Sequence, residues 1–421
     1  MKFDALKYSY SSRRNMIYAK KGMVATSHPL AAQAGLDMLK KGGNAIDAAI
    51  AAAACLTVVE PVSNGIGGDA FAIVWSGNKL YGLNASGPAP MSITADIITK
   101  SGHKEIPRHG WIPVTVPGVP SAWATLSGRF GKLPLTKVLT PAIVYAEEGH
   151  PIAPNVAKAW ADAYDKYSNV LKDDTFRFWF ETFAPNCRAP IAGEIWRSPD
   201  HASTLQKIAE TNAEAFYRGE LAEKIDAFSK LHGGYLRKED LENYQPEWTD
   251  PVHINYRGYD VWEIPPNGHG IVALMTLNIL KGFEFSERDS VETFHKQLEA
   301  MKLAYADGKK YIADPKSMNV NVSELLSDEY AAVRRKLIST EAISPMPGKP
   351  PGGGTVYLAA ADAEGNMVSY IQSNYMGFGS GIVIPNTGIS LHNRGCNFML
   401  ESDHANCLEP GKKPYHTIIP G

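Results

Sequence analysis

The chain is poor in the features that most readily mark a function. Its four cysteines, Cys55, Cys187, Cys396 and Cys407, form no CxxC pair and no zinc-type spacing, so a disulfide scaffold and a thiolate metal site are both excluded as expectations. Cys55 lies in an alanine-rich run and reads as a small buried hydrophobe. No window approaches the ~20 consecutive apolar residues of a membrane-spanning helix. Charge is nearly balanced, with a net value of −2, which leaves no electrostatic footprint for nucleic acid or an acidic membrane surface. The twelve histidines show no paired ligand spacing, and neither HExxH nor a GKS/GKT loop occurs. The opening MKFDALKYSYSSRRNMIYAK has basic residues but lacks the apolar core of a secretory signal. With the reduced-thiol composition, that gives the expectation of a soluble, cytoplasmic protein without metal.

What is present is a chain of helical blocks separated by hairpins. Pro29 to Lys41 reads as a helix, with Pro29 in its first turn and Gly42-Gly43 as the stop. Asn44 caps a second helix, AIDAAIAAAACLTVVE, whose apolar surface is nearly continuous and therefore belongs inside the molecule. The segments AFAIVW and LYGLNA flank SGNK as a hairpin. Helices are expected in 120–150, in parts of 201–243, near 271–281 and 291–308, and as one amphipathic surface helix over 323–338. Tyr256 to Ile264 alternates like a strand. Helices interspersed with hairpins point to layered α+β architecture.

The clearest linker runs from Ser339 to Gly354. It ends at Thr355, where KPPGGG gives way to TVYLAAAD, a turn over Asp362 to Asn366, and a second strand. Thr355 has two readings. It is a β-branched residue opening a strand after a flexible loop. It is also a hydroxyl that becomes a nucleophile if the Gly354–Thr355 bond is cut, because the new α-amine supplies an attached base. An α-amine has an unperturbed pKa of about 7.7–8.0, so it is partly neutral near pH 7. Two glycine motifs compete less well. GIGGDA, from Gly65, follows a proline-containing loop instead of a clean strand, and GFGSG, from Gly377, has the wrong spacing for a phosphate loop or nucleophile elbow.

Several long blocks occur in an order that resembles the γ-glutamyltranspeptidase family of N-terminal-nucleophile hydrolases. They are GMVATSHPLAAQAGLDMLKKGGNAIDAAIAA, EPVSNGIGGDAF, PGVPSAWATLSGRFGKLPL, PPNGHG and HKQLEAMKLAYADG. The resemblance implies a four-layer αββα sandwich and a precursor that cuts itself into two chains. These are a large-subunit region, 1–354, and the start of a small-subunit region, 355–421, which associate as one composite domain. It implies cleavage between Gly354 and Thr355, with Thr355 as nucleophile and Ser373 orienting the freed amine. Arg394 and Asn397, in GISLHNRGCNF, fall where family members hold the glutamyl α-carboxylate and α-amino groups. His416 and Thr417 stand where two serines usually touch the substrate carboxylate. No metal or organic cofactor is implied, and a homo-oligomer is compatible with the pattern.

The departures define the expected substrate. The arginine that clamps the α-carboxylate in relatives is Ser86 here, the ammonium-binding aspartate is Asn397, and Tyr375 replaces an asparagine. Arg394 replaces a glutamine and is a candidate to take over the carboxylate. These features resemble the acylase-like subgroup, so the expected reaction is hydrolysis of γ-glutamyl or glutaryl-like amides through an acyl-enzyme on Thr355. The region after Thr355 is shorter than the family's small chain and ends before the second Gly-Gly motif that gives oxyanion-hole amides, which leads to the expectation of a longer parent sequence. Loss of such a donor costs on the order of 10²–10³ in rate. Two other functions stay open on the residues alone. One is a catalytically silent relative that binds a small acidic ligand; the other is a nucleotide-dependent oxidoreductase built on GIGGDA.

Overall fold

A computed structural model of the chain describes residues 17–345 and 354–421. Half of the expected linker, residues 346–353, lies outside the described residues. Among the described residues, ten strands occur in chain order: β1 Gly22–Thr26, β2 Asp69–Ser76, β3 Lys79–Ala85, β4 His150–Pro151, β5 Ile195–Trp196, β6 Glu247–Thr249, β7 Val252–Tyr256, β8 Tyr259–Glu263, β9 Gly354–Asp362 and β10 Met367–Tyr375. Six of them form one antiparallel sheet in the order β1-β9-β10-β2-β3-β6, while β4–β5 and β7–β8 form two-stranded ladders. The pair β9–β10 therefore sits in mid-sheet, between strands from the other end of the chain.

The period-2 alternation of the strands divides the sheet into two buried faces. Ala70, Ala72 and Val74 of β2, Val356 and Leu358 of β9, and Val368 and Tyr370 of β10 point to one side. There they meet the helix Ala45–Val59, all fifteen residues of which are buried. Its seven alanines let the backbone approach the sheet closely. Its start is fixed by a capping box: Asn44 Oδ1 accepts from the Ile46 and Asp47 amides, and Asp47 Oδ2 accepts from the Asn44 amide at 2.9 Å. Gln372 of β10 ties sheet to helix by donating to Ala53 O at 2.9 Å and to Asn64 Oδ1 at 2.7 Å.

On the other face, Phe71, Ile73 and Ile371 pack against Ile264 and Ile418. The β7–β8 hairpin lies on that side, followed outward by the helices Gly270–Leu280 and Val291–Tyr311, which pack on each other. The layers run helix, sheet, hairpin, helix, the αββα arrangement, with its second sheet represented by two strands among the described residues. No helix among them is long and apolar enough to cross a membrane.

Two local expectations change. The single helix expected over 323–338 is two, Val322–Leu325 and Asp328–Arg335. Ser327 breaks it by accepting the Tyr330 amide at 3.1 Å as a new N-cap, which Ser-Asp-Glu signals locally. The stretch after residue 151, unassigned from pattern, forms the helices Pro154–Val170 and Arg177–Phe183.

Candidate active site

The turn between β9 and β10 is closed by Asp362, whose Oδ1 accepts from the Glu364 and Asn366 amides at 2.9 and 3.0 Å. From there the ladder is regular through Gln372↔Val356 and then shifts, so that Tyr375 pairs with Gly354. Ser373 and Asn374 thus stand opposite Thr355 alone, a β-bulge that re-aims side chains at the end of the strand. Tyr375 completes the bulge with φ +74°, uncommon for a bulky residue. Its amide donates to Ser373 Oγ at 2.7 Å, and Thr355 Oγ1 donates to the same oxygen at 3.0 Å. Thr355 is exposed and Ser373 is buried.

Thr355 opens onto a cleft of about 1310 Å³, which Tyr375, Asn397 and Thr417 also line. The Tyr375 hydroxyl donates to Asn397 Oδ1 at 2.7 Å, and Asn397 Nδ2 donates to Tyr415 O at 3.2 Å. Cationic side chains on the cleft wall outnumber carboxylates, five to three.

The remaining expected residues lie beneath this surface. Arg394 is fully buried. Its guanidinium lies over the Tyr375 ring at 4.2 Å, its Nη1 donates to Thr417 Oγ1 at 2.6 Å, and its Nε is 4.0 Å from Asp69 Oδ2. Burial lowers it to about 10, and Asp69 works against that, so it stays charged near pH 7. His416 is also buried, with Nε2 at 2.9 Å from Asp69 Oδ2. Burial first, then Arg394, push its pKa far below the ordinary value, so the imidazole is neutral. His392 Nδ1 lies 3.6 Å from the same carboxylate but accepts the Arg394 amide at 3.2 Å, and so forms no ion pair there. Asp69 itself is pushed up to about 7 by burial, with Arg394 pulling it down.

Of the residues singled out from sequence, Thr355, Tyr375, Asn397 and Thr417 therefore share one cleft wall. Ser373 lies directly behind Thr355. Arg394 and His416 form a buried cluster under Tyr375 and Thr417 and are not on the cleft surface. Ser86 is fully buried in an amide network: its hydroxyl donates to Asn84 Oδ1 at 2.7 Å and accepts from Asn267 Nδ2 at 3.1 Å.

Sequence reasoning missed Asp69 and His269. Asp69 begins β2 directly opposite Ser373 in register, and it is the acidic residue of GIGGDAF. The glycines before it serve close packing: a Cβ on Gly67 would lie 2.4 Å from Ser390 O, and one on Gly68 would lie 2.7 Å from Ser373 O. The loop is thereby filled by protein backbone. His269 lines the cleft and donates from Nδ1 to His416 O at 2.9 Å, which fixes the C-terminal stretch against the helix that it precedes.

Comparison with known proteins gives this arrangement a lineage. A glutathione hydrolase-like YwrD proenzyme of Bacillus subtilis (strain 168) is 37% identical over 411 residues, spanning 96% of this chain and 76% of the relative. An oxamate amidohydrolase proenzyme of Klebsiella pneumoniae is 35% identical over 408 residues, 95% of this chain and 75% of that protein. Among solved structures, cephalosporin acylase from Bacillus halodurans superposes with a TM-score of 0.94 at 61% identity, over 100% of this chain and 78% of that one. The γ-glutamyltranspeptidase of Helicobacter pylori gives 0.73 at 30% identity, over 79% and 95%. With residues 31–421 matching the gamma-glutamyltranspeptidase profile as well, the chain belongs to the gamma-glutamyltranspeptidase family.

Proposed function

We propose that this protein is an autoprocessing amidohydrolase whose nucleophile is Thr355. The observation that carries the reading is the 3.0 Å contact from Thr355 Oγ1 to Ser373 Oγ, made at a bulge that opens on the cleft. Maturation begins when Thr355 Oγ1 attacks the Gly354 carbonyl carbon. The peptide C–N bond breaks, the nitrogen takes up a proton, and water hydrolyses the resulting ester. Thr355 is left with a free α-amine. In turnover that amine takes the hydroxyl proton as Oγ1 attacks the substrate amide, then delivers it to the departing nitrogen. Water, deprotonated by the same amine, releases the carboxylic acid and restores the hydroxyl.

The two chains would stay together after the cut. β9 remains paired with β1, and β10 with β2, so separation would require tearing out the middle of the sheet. The similar proteins are named for different substrates, yet an amide bond is common to these, which supports the reaction class. The cationic excess of the cleft supports an acyl group that ends in a carboxylate, of the γ-glutamyl or glutaryl kind.

Intact mass and N-terminal sequencing of purified protein test the reading, together with hydrolysis of a chromogenic glutaryl anilide. The expected mature chain begins Thr355-Val356-Tyr357. Thr355→Ala should stay uncut and inactive, and Thr355→Ser should keep part of both activities. A folded wild type that remains one chain after prolonged incubation would refute autoprocessing. Undiminished hydrolysis by Thr355→Ala would refute the nucleophile.

A further inference from the structure

A substrate carboxylate needs a cation on the cleft surface, and neither the position aligned with the family's arginine nor the residue expected to replace it supplies one. Ser86 is uncharged and enclosed in its amide network. Arg394 is fully buried, and its guanidinium is engaged with Thr417, the Tyr375 ring and Asp69. The cleft has a different arginine on its wall. Arg108 lines it together with Thr355, Tyr375, Cys396 and Asn397.

The backbone that carries Arg108 is held against the segment bearing Arg394. Asn393 Nδ2 donates to Arg108 O at 2.8 Å, and the Gly395 amide donates to Pro113 O at 2.8 Å. The Gly110 amide donates to Ser380 O at 2.9 Å, and Ile106 is buried in a small core with Phe398 and Leu408. The side chain itself is exposed. Among the described residues, its guanidinium has no hydrogen-bond or ion-pair partner. It therefore combines a fixed base with five unspent donors in a fork suited to a carboxylate. Its charge reaches the groups beside the nucleophile. Burial raises both the Tyr375 phenol and the Cys396 thiol to about 12, and Arg108 opposes the rise in each.

The four other cations on the wall are less suited, Lys104 and Lys310 being, like Lys309, single ammonium groups without a planar fork. Arg334 is paired with Asp307 at 2.9 Å. Lys309 projects from the helix Val291–Tyr311 as a single ammonium without the planar fork. The geometry points to Arg108 as the residue that binds the terminal carboxylate of the acyl group, making it the specificity determinant for dicarboxylic acyl amides. This rests on the amidase reading above.

The test compares kcat/KM for glutaryl anilide and valeryl anilide, which share a five-carbon acyl chain and differ in the terminal carboxylate. Arg108→Gln should lower the glutaryl-to-valeryl ratio by about ten- to a hundredfold, the range for losing one charge-assisted contact. Arg108→Lys should recover part of it. A parallel fall on both substrates, an unchanged ratio, or a selective fall in Lys309→Gln instead of Arg108→Gln would overturn the assignment. If mature wild type hydrolyses neither anilide, the amidase reading fails by itself. Calorimetric titration with glutarate then decides on Arg108: binding lost in Arg108→Gln supports the site, and binding equal in both proteins, or absent from wild type, overturns it.

Discussion

Thr355 and Ser373 are joined hydroxyl to hydroxyl at 3.0 Å, with Ser373 on the inner side of a β-bulge and Thr355 on the cleft. The Tyr375 amide donates to the same Ser373 oxygen at 2.7 Å, so the acceptor that orients the threonine is itself held by backbone. An arrangement of this kind positions a hydroxyl before any substrate arrives.

Ser373→Ala should consequently slow turnover more than it lowers stability. A neutral hydrogen bond contributes only about 0.5–1.5 kcal/mol net, so the melting temperature should fall by a few degrees. The check is kcat measured beside a thermal melt. Normal turnover in a variant that melts far earlier would make Ser373 a structural residue only.

Asn397→Asp should shift preference towards γ-glutamyl over glutaryl amides. The new carboxylate keeps the acceptor for the Tyr375 hydroxyl and gains attraction for a substrate ammonium. It loses the donation from Nδ2 to Tyr415 O, so some stability should go with it. A charge-assisted hydrogen bond is worth roughly 1.5–3 kcal/mol, which corresponds to about a ten- to hundredfold change in the ratio. Matched anilides give that ratio directly. A strong wild-type preference for γ-glutamyl, unmoved by the substitution, would show that another group recognises the ammonium.

Glu263 should make stability fall as pH rises. It is buried at the end of β8, its Oε2 has no hydrogen-bond partner among the described residues, and burial pushes the carboxyl up to about 8. The folded state therefore binds more protons than the unfolded state, in which the carboxyl has its ordinary value of 4.5. The group's contribution is complete below that value and is lost as pH rises through about 8. Melts from pH 5 to 9 on wild type and Glu263→Gln check this. The glutamine variant should flatten the decline, and identical profiles would assign it to other groups.

Much of the scaffold is local physics and was legible in the chain. Asn44 ahead of an alanine-rich run specifies a capped, fully buried helix, because a short polar side chain can satisfy free amides and small residues allow close packing. Likewise, the turn residues from Asp362 to Asn366 between two alternating segments specify the hairpin that begins at Gly354. The cap at Ser327 is equally local but competes with a continuous amphipathic pattern, and the pattern concealed it.

The site divides along the same physical line. Sequence by itself determined that Thr355 stands at the start of a strand after a glycine run, and which neighbours carry hydroxyl, amide and charge. Tertiary structure alone decided where each charge lies relative to the cleft. Arg394 is three residues from Asn397 in the chain, yet Asn397 lines the cleft while Arg394 lies underneath, paired with Asp69 from a strand more than three hundred residues earlier. Arg108, remote in sequence from Thr355, is held at the surface by a hydrogen bond from Asn393 to its backbone carbonyl. A residue's type follows from the sequence, but its desolvation and its partners depend on contacts between segments that no local pattern encodes.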